Sequence, residues 1–288
     1  MGYGVFLRPL AVGLLAALVA AAYTARVLAE LGWFRALPGA GVGAVAGMAA
    51  GARAARLGRP AQGREVACWL AAAAIALGTL ALSLPPGETI LGGWDPGVYV
   101  HTAAAVARGG SLRIDAGGAG GLPADARMVF HRDSGAQRQL FPGMFLLPDG
   151  TLSPQFMHLY PSLMALSYSA FGVWGALLLN PLLNVVAILV FFWLASRLVG
   201  PGWALAAALL LALNPAQVWQ AGFSTAEVLA QILLLAGFST LARFTDRPGW
   251  LVTPLLSGAF FGLAFFARYD SIMVGVPVTF LLILFRGE

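Results

Sequence analysis

The 288 residues could form one or two soluble domains, but 59% of them are hydrophobic and only 10% are charged. Ordinary globular proteins carry roughly 25% charged residues because their surface faces water, so most of this surface must face lipid. The net charge of +5 comes from arginines scattered between apolar runs, which excludes the continuous basic face of a nucleic-acid-binding protein. The composition therefore predicts an all-α protein that crosses a membrane several times.

Apolar stretches close to the roughly 20 residues that span a bilayer as a helix recur along the chain. An apolar lead-in, residues 160–175, precedes the fourth stretch, and a long polar loop, residues 85–157, follows the third. We expect short helices in this loop. About eight transmembrane helices are predicted, near residues 9–29, 37–56, 66–84, 176–197, 202–216, 224–243, 249–267 and 271–285.

Arginines in the short loops predict the orientation of these helices, because basic loop residues stay on the cytoplasmic side. The opposite short loops hold chiefly Arg35 and Arg268. The distribution predicts a protein of the cytoplasmic (inner) membrane with both termini in the cytoplasm, an uncleaved first helix and residues 85–157 outside. The arginines on the predicted inner side are Arg8, Arg53, Arg56, Arg59, Arg64, Arg197, Arg243, Arg247 and Arg286.

Glycines in the second segment recur at every fourth position and therefore follow one stripe of the predicted helix. Small residues at this spacing allow another helix to approach closely in lipid. The stripe predicts helix–helix packing, and it consists of Gly39, Gly43, Gly47 and Gly51.

Asp95 is one of the few ionisable residues near the predicted outer membrane face. Asp followed by Pro is typical of a helix N-cap and its first helical position, which predicts a helix from Pro96 to Arg108. A capping carboxylate accepts backbone N–H bonds and becomes a weaker base, although its several acceptor sites leave room for a second role. Tyr99 lies four residues further on and shares the helical face of Asp95.

Three further charged residues map to the outer ends of predicted helices. Glu227 lies in the first turn of the sixth segment, where Ser224 or Thr225 would cap the helix and a carboxylate suits the helix dipole. Arg268 and Asp270 lie at the junction of the seventh and eighth segments. They form either a local ion pair of little energetic weight or a site at which the guanidinium of Arg268 grips a phosphate.

The three histidines could be combined with Asp95 into a metal site. The separations of His101, His131 and His158 match no compact ligand pattern, so loop histidines that face water are the favoured interpretation. No cofactor is predicted from the sequence, and a divalent metal remains an open alternative.

Several ordered pieces of the chain together carry a family resemblance. They are Asp95 and Tyr99 on a loop helix ending in ARGGSLRID, followed by HLYPSLMALSYSAFG, LLNVVAILVFFWLASRLVG, ALLLALNPAQVWQ, STAEVLAQILLLAG and GLAFFARYDSIM. In this order they resemble the GT-C superfamily of membrane glycosyltransferases over about residues 66–288. Within it, the chain resembles the protein O-mannosyltransferase and aminoarabinose-transferase-like branch.

The resemblance implies an enzyme that moves a sugar from a polyprenyl-phosphate-linked donor to an acceptor hydroxyl at the extracytoplasmic face, with inversion. Asp95 would be the catalytic base or would place the acceptor. The partners implied are the lipid-linked donor and membrane lipid. The residues expected to bind substrate are Tyr99, Glu227, Arg268, Asp270 and His158.

The resemblance also divides the chain into an N-terminal transmembrane hairpin, residues 1–65, and a GT-C-like core, residues 66–288. Protein O-mannosyltransferases carry two adjacent acids in the first loop, whereas Asp95 is followed by Pro96. Members of this superfamily usually continue through more helices. We therefore expect this chain to be a compact member, a fragment, or one half of an assembly in which a partner subunit supplies the C-terminal part. A non-catalytic subunit is the alternative, and a transporter is disfavoured because the ionisable residues map to segment ends.

Overall fold

The computed structural model describes residues 4–57, 63–90, 95–117, 123, 125–126, 131–134, 137–140, 143–246, 252–274 and 277–278. Most of these residues are helical. The helices are α1 (Gly4–Glu30), α2 (Ala36–Leu57), α3 (Gly63–Ser83), α4 (Asp95–Gly109), α5 (Leu159–Leu198), α6 (Pro201–Ala212), α7 (Pro215–Gly222), α8 (Glu227–Asp246) and α9 (Val252–Ala267). A 3₁₀ turn, Tyr269–Ser271, follows α9.

Three of the described helices, α1, α3 and α5, are long and apolar enough to cross a membrane. The pair α6 and α7 passes the same test together but bends by 59°, so it is a fourth, broken span or a re-entrant loop. Helices lie at seven of the eight predicted segments, which confirms a predominantly helical, membrane-type fold. The count of eight spans and the orientation stay predictions, and most of the segment 271–285 lies outside the described residues.

Helix α5 is the central element of the bundle, and it packs against α1, α3, α4, α6 and α8. The predicted lead-in and the fourth segment join in this one 40-residue helix, with a break at Phe171 and Gly172. Gly172 has a φ of 60°, a conformation that glycine adopts without steric cost. Fully buried side chains run along both parts of α5, among them Tyr160, Met164, Asn180, Ile188 and Phe192.

The predicted glycine stripe of α2 packs against α1. A Cβ at Gly43 would come within 2.8 Å of the Ala21 Cβ, and a Cβ at Gly47 would come equally close to the Ala17 Cβ. Because the two backbones approach this closely, only glycine fits at both positions, which confirms the packing interpretation. Helix α1 also contacts α3 and α5, so the N-terminal hairpin is part of the bundle, while its status as a separate domain stays a prediction.

The polar loop between α3 and α5 contains α4 and a five-stranded antiparallel sheet. The strands are β1 (Ile114–Asp115), β2 (His131–Ser134), β3 (Gln137–Leu140), β4 (Met144–Leu146) and β5 (Thr151–Pro154), in the order β1-β5-β4-β3-β2. Helix α4 and the helical residues 125–126 fit the predicted short helices. The prediction was incomplete, because only helices were expected in this loop and it also contains a sheet. Its strands have two to four residues, too few for an alternating pattern to be recognised in the sequence.

The start of β4 lies against α4. A Cβ at Gly143 would come within 2.7 Å of the Val98 side chain, and Gly143 itself has a φ of 68°. Both observations require glycine there. This close approach holds the sheet beside the helix that begins at Asp95.

Candidate functional site

A pocket of about 330 Å³ lies where the first turns of α4 and α8 meet α7. It contains two carboxylates, two aromatic rings, an amide and a hydroxyl. Asp95 comes from the polar loop, whereas Glu227 is the first residue of a helix in the bundle. The fold therefore brings two of the predicted site residues to one cavity. The lining residues are Asp95, Pro96, Trp219, Gln220, Phe223, Thr225 and Glu227.

Asp95 is the first residue of α4, directly before Pro96, as the Asp-Pro pattern predicts. Its side chain is exposed. Within the described part of the chain, no backbone N–H and no side chain donates a hydrogen bond to its carboxylate, so the capping interpretation gains no support there. A carboxylate that lines a cavity and has no such donor can accept a proton from a hydroxyl group bound beside it.

Arg268 connects the pocket with the end of α9. Its Nε and Nη2 donate to the Asp270 carboxylate at 3.0 and 2.7 Å, so the predicted local pair is present. Its Nη1 donates to Oε1 of Glu227, which comes 41 residues earlier in the chain. The guanidinium thus bridges two carboxylates from different helix ends, and the bridge places Glu227 at the pocket.

The contacts between Arg268 and Asp270 keep both of these side chains charged. Hydrogen bonding to Asp270 raises the pKa of the Arg268 guanidinium above its usual range, and the nearby Glu227 carboxylate acts in the same direction. Hydrogen bonds from Arg268 hold the pKa of the Asp270 carboxyl below its usual range. Since all three side chains are a third or more exposed, solvent screens these ion pairs and their contribution to stability is modest.

The second oxygen of Glu227, Oε2, is buried and has no hydrogen-bond partner among the described residues. The Thr225 hydroxyl, which the sequence offered as a helix cap, instead donates to the Gln220 side chain at 3.2 Å. A buried carboxylate oxygen without a donor is costly, since such groups are normally paired. The Glu227 side chain is 34% exposed, so the part of it that a ligand in the pocket can reach does not include this oxygen.

Tyr99 lies behind the charged cluster and is 5% exposed. Its ring stacks on Phe156 at 4.9 Å and meets the edge of Tyr160 at 5.1 Å. Burial raises the pKa of the Tyr99 phenol above its usual range, and the negative charge of Glu227 raises it further. The phenol therefore stays protonated, and Tyr99, which the sequence predicts to bind substrate, does not line the pocket.

Asn180, a residue that the sequence interpretation missed, organises one wall of the pocket. Its buried Nδ2 lies within hydrogen-bond distance of the carbonyl oxygens of Gln220, Phe223 and Thr225, at 3.4 Å for Gln220 and 2.8 Å for Thr225. The Tyr160 hydroxyl donates to its Oδ1 at 2.9 Å and so fixes the amide orientation. The available signal was an amide side chain inside the apolar run LLLNPLLN, because such groups are rare in membrane helices.

A second amide cluster fixes α7, the short helix that carries Trp219. Gln217 Nε2 donates to Asn184 Oδ1 at 2.6 Å and to Gln231 Oε1 at 2.9 Å. Gln231 Nε2 donates back to Gln217 Oε1 at 3.0 Å. Helix α7 begins after Asn214, whose side chain accepts from the Ala216 N–H at 2.9 Å, and this cap makes the turn out of α6.

His158 does not line the pocket. Its Nδ1 lies 2.7 Å from Glu30 at the end of α1, and Arg26 pairs with the same carboxylate at 3.5 Å. The Arg26 guanidinium also lies 3.8 Å above the ring of Phe266 in α9. These contacts join α1, α5 and α9 at the end of the bundle that carries the pocket.

The metal alternative finds no support in the described residues, which contain no group of three His, Cys, Asp or Glu side chains that could hold an ion. His101 is exposed on α4. The side chain of His131 lies outside the described part of the chain.

Residues 156–288 match the family model of the dolichyl-phosphate-mannose-protein mannosyltransferases. The match covers a little under half of the chain. It contains Glu227, Arg268 and Asp270, whereas Asp95 precedes it. The match supports the predicted relation to GT-C membrane glycosyltransferases that use a polyprenyl-phosphate-linked sugar. No curated protein and no solved structure matches the chain.

Proposed function

We propose that the protein is a membrane glycosyltransferase that moves a sugar from a polyprenyl-phosphate-linked donor to an acceptor hydroxyl at the extracytoplasmic face. The observation that carries this proposal is the shared pocket of Asp95 and Glu227, with Arg268 bound to Glu227. The family match of residues 156–288 supports the reaction class. The polar loop contributes Asp95 to the same pocket, so the unmatched part of the chain would complete the site.

Asp95 is the base in this proposal. It would accept the proton of the acceptor hydroxyl while the hydroxyl oxygen forms a bond to the anomeric carbon of the donor sugar. The bond between that carbon and the phosphate oxygen breaks, the lipid phosphate leaves, and the configuration at the carbon inverts. Asp95 suits the task better than Glu227, because the charge of Glu227 is already engaged by Arg268.

Arg268 would stabilise the leaving phosphate. Each of its three nitrogens already donates to a carboxylate, but Nη1 and Nη2 each carry a second N–H. Those N–H groups can bind the phosphate as its negative charge develops. Asp270 and Glu227 would hold the guanidinium in one orientation for this contact.

The test uses the purified chain in lipid nanodiscs with a panel of polyprenyl-phosphate sugars and the transferred sugar as readout. We expect transfer by the wild-type protein and a loss of at least a hundredfold in Asp95→Asn, since general-base catalysis contributes typically 10²- to 10⁴-fold. Asp149→Asn is the matched control, because Asp149 pairs with Arg113 and Thr151 in the same loop. Full transfer by a folded Asp95→Asn variant would remove Asp95 from the role of base. Absence of transfer by the wild-type chain would favour a non-catalytic subunit.

A further inference from the structure

Two aromatic rings form one side of the pocket. Trp219 and Phe223 are four residues apart, at the end of α7, and their ring centroids lie 4.6 Å apart with an interplanar angle of 40°. Trp219 remains 56% exposed although it lines the pocket, so much of its ring is not covered by protein. An uncovered indole beside a cavity offers an apolar face to a ligand.

The charges of the pocket exclude an anionic occupant. Among the residues that the structure describes, its lining includes the carboxylates of Asp95 and Glu227 and no cationic side chain. Arg268 touches Glu227 from outside this lining, and the Arg268 guanidinium also donates to Asp270. The negative charge of these carboxylates would therefore repel a phosphate placed inside the pocket, whereas it would not repel an uncharged ligand.

The remaining groups suit a ligand with several hydroxyls. The Gln220 amide can donate and accept, the Thr225 hydroxyl can accept because its hydrogen goes to Gln220 Oε1, and Glu227 contributes a carboxylate to the lining. The volume of about 330 Å³ lies at the lower end of the range of about 300 to 1,000 Å³ typical of ligand pockets. It accommodates a single ring rather than a polyprenyl chain.

From these observations we infer that the pocket is a subsite for one sugar ring without negative charge, stacked on Trp219 with its hydroxyls bound to Gln220, Thr225 and Glu227. The phosphate of the donor lies outside the subsite, on the Arg268 side. The inference rests on the proposed function in taking a sugar as ligand. It adds the charge class of that sugar and the residue that selects for the ring.

The test measures binding without turnover, by ligand-observed NMR titration of the full chain in lipid nanodiscs. Glycoside detergents are avoided because they would compete for the subsite. The probes are neutral methyl hexopyranosides and pentopyranosides, with hexose 1-phosphates as charged counterparts. We expect saturable binding of a neutral glycoside and at least tenfold weaker binding of the phosphates.

Substitutions locate the bound ring. Trp219→Ala should weaken neutral glycoside binding by about three- to tenfold, and Trp219→Phe should weaken it less because an aromatic face remains. Trp33→Ala is the matched control, since Trp33 is 68% exposed but does not line the pocket. Thermal melts check that each of the three variants is folded. We expect all three to fold because both tryptophans are exposed.

The outcomes separate this inference from the proposed function. No saturable binding of any neutral glycoside, stronger binding of the phosphates, or equal losses in Trp219→Ala and Trp33→Ala would overturn the subsite. Binding at Trp219 by a chain that transfers no sugar would keep the subsite and remove the proposed reaction. A polyprenyl-phosphate sugar that competes with the glycoside would identify the ring as that of the donor, and one that binds without competition would identify it as that of the acceptor.

Discussion

Replacing Asn180 by leucine removes the donors that hold the wall of the pocket, at nearly constant side-chain size. The amide Nδ2 has two hydrogens for the three carbonyl oxygens of Gln220, Phe223 and Thr225, so about two good hydrogen bonds are lost. The Tyr160 hydroxyl also loses its acceptor. The carbonyl oxygens of Gln220 and Phe223 keep backbone N–H donors, so among the described contacts the Thr225 carbonyl and the Tyr160 hydroxyl are the two groups left without a partner. Each such group costs about 1 to 3 kcal/mol, so we expect a loss of about 2 to 6 kcal/mol in total.

This loss should act locally, because the apolar helices on either side keep their own packing. We expect faster amide hydrogen exchange over residues 220–225 in Asn180→Leu, measured by mass spectrometry in nanodiscs, and at least a tenfold lower rate of sugar transfer. Tyr160→Phe is the milder variant, since it removes one hydroxyl and leaves the three carbonyl contacts in place. It keeps the test valid if the leucine variant fails to fold.

Asn214→Ala is the control for these variants. Asn214 caps α7 from an exposed position, so its loss should cost about 1 kcal/mol and leave the Asn180 contacts intact. The structural role of Asn180 would be refuted if Asn180→Leu melted at the wild-type temperature and exchanged its 220–225 amides at the wild-type rate. It would also be refuted if Asn214→Ala loosened that segment as much as Asn180→Leu did.

Two further predictions concern packing and charge. Gly47→Val should destabilise the protein by about 1 to 3 kcal/mol, because a Cβ there would come within 2.8 Å of the Ala17 Cβ. Thermal melts measure this loss. Gly41→Ala is the control and should show no such loss, because the added Cβ meets nothing within 4 Å. Asp270→Asn should cost about 1 kcal/mol or less at neutral pH, since the pair with Arg268 is partly exposed. The pKa of Asp270 is lowered, so the pair stabilises the protein at pH values above the ordinary carboxyl pKa. This stabilisation is lost as the pH falls through the lowered pKa. The melting temperatures of wild type and variant should therefore converge only in acid.

The helices of the bundle could be predicted because long apolar runs mark them directly. Helix α4 was also predictable, since Asp95 and Pro96 mark its start. The sheet in the same loop was not predictable, because register between strands of two to four residues depends on partners distant in the chain. The merging of the lead-in with the fourth segment was missed for a similar reason, as the break at Gly172 bends α5 without ending it.

The individual site residues were visible in the sequence as rare charges at helix ends, but their pairing was not. Glu227 and Arg268 are 41 residues apart, and only the packing of α8 beside α9 brings them together. His158 illustrates the opposite outcome, because the turn of the chain before α5 places it against Glu30 and away from the pocket lining. Asn180 was missed because one amide in an apolar run does not reveal which backbone carbonyls it meets.

The most direct measurement for the central claim is a structure of the protein in lipid with a bound polyprenyl-phosphate sugar. We predict the sugar ring in the pocket against Trp219, its anomeric carbon facing Asp95, and the lipid phosphate on the free N–H groups of Arg268. A phosphate bound away from Arg268, or a sugar with Asp95 outside its reach, would contradict the claim that Asp95, Glu227 and Arg268 form one active site.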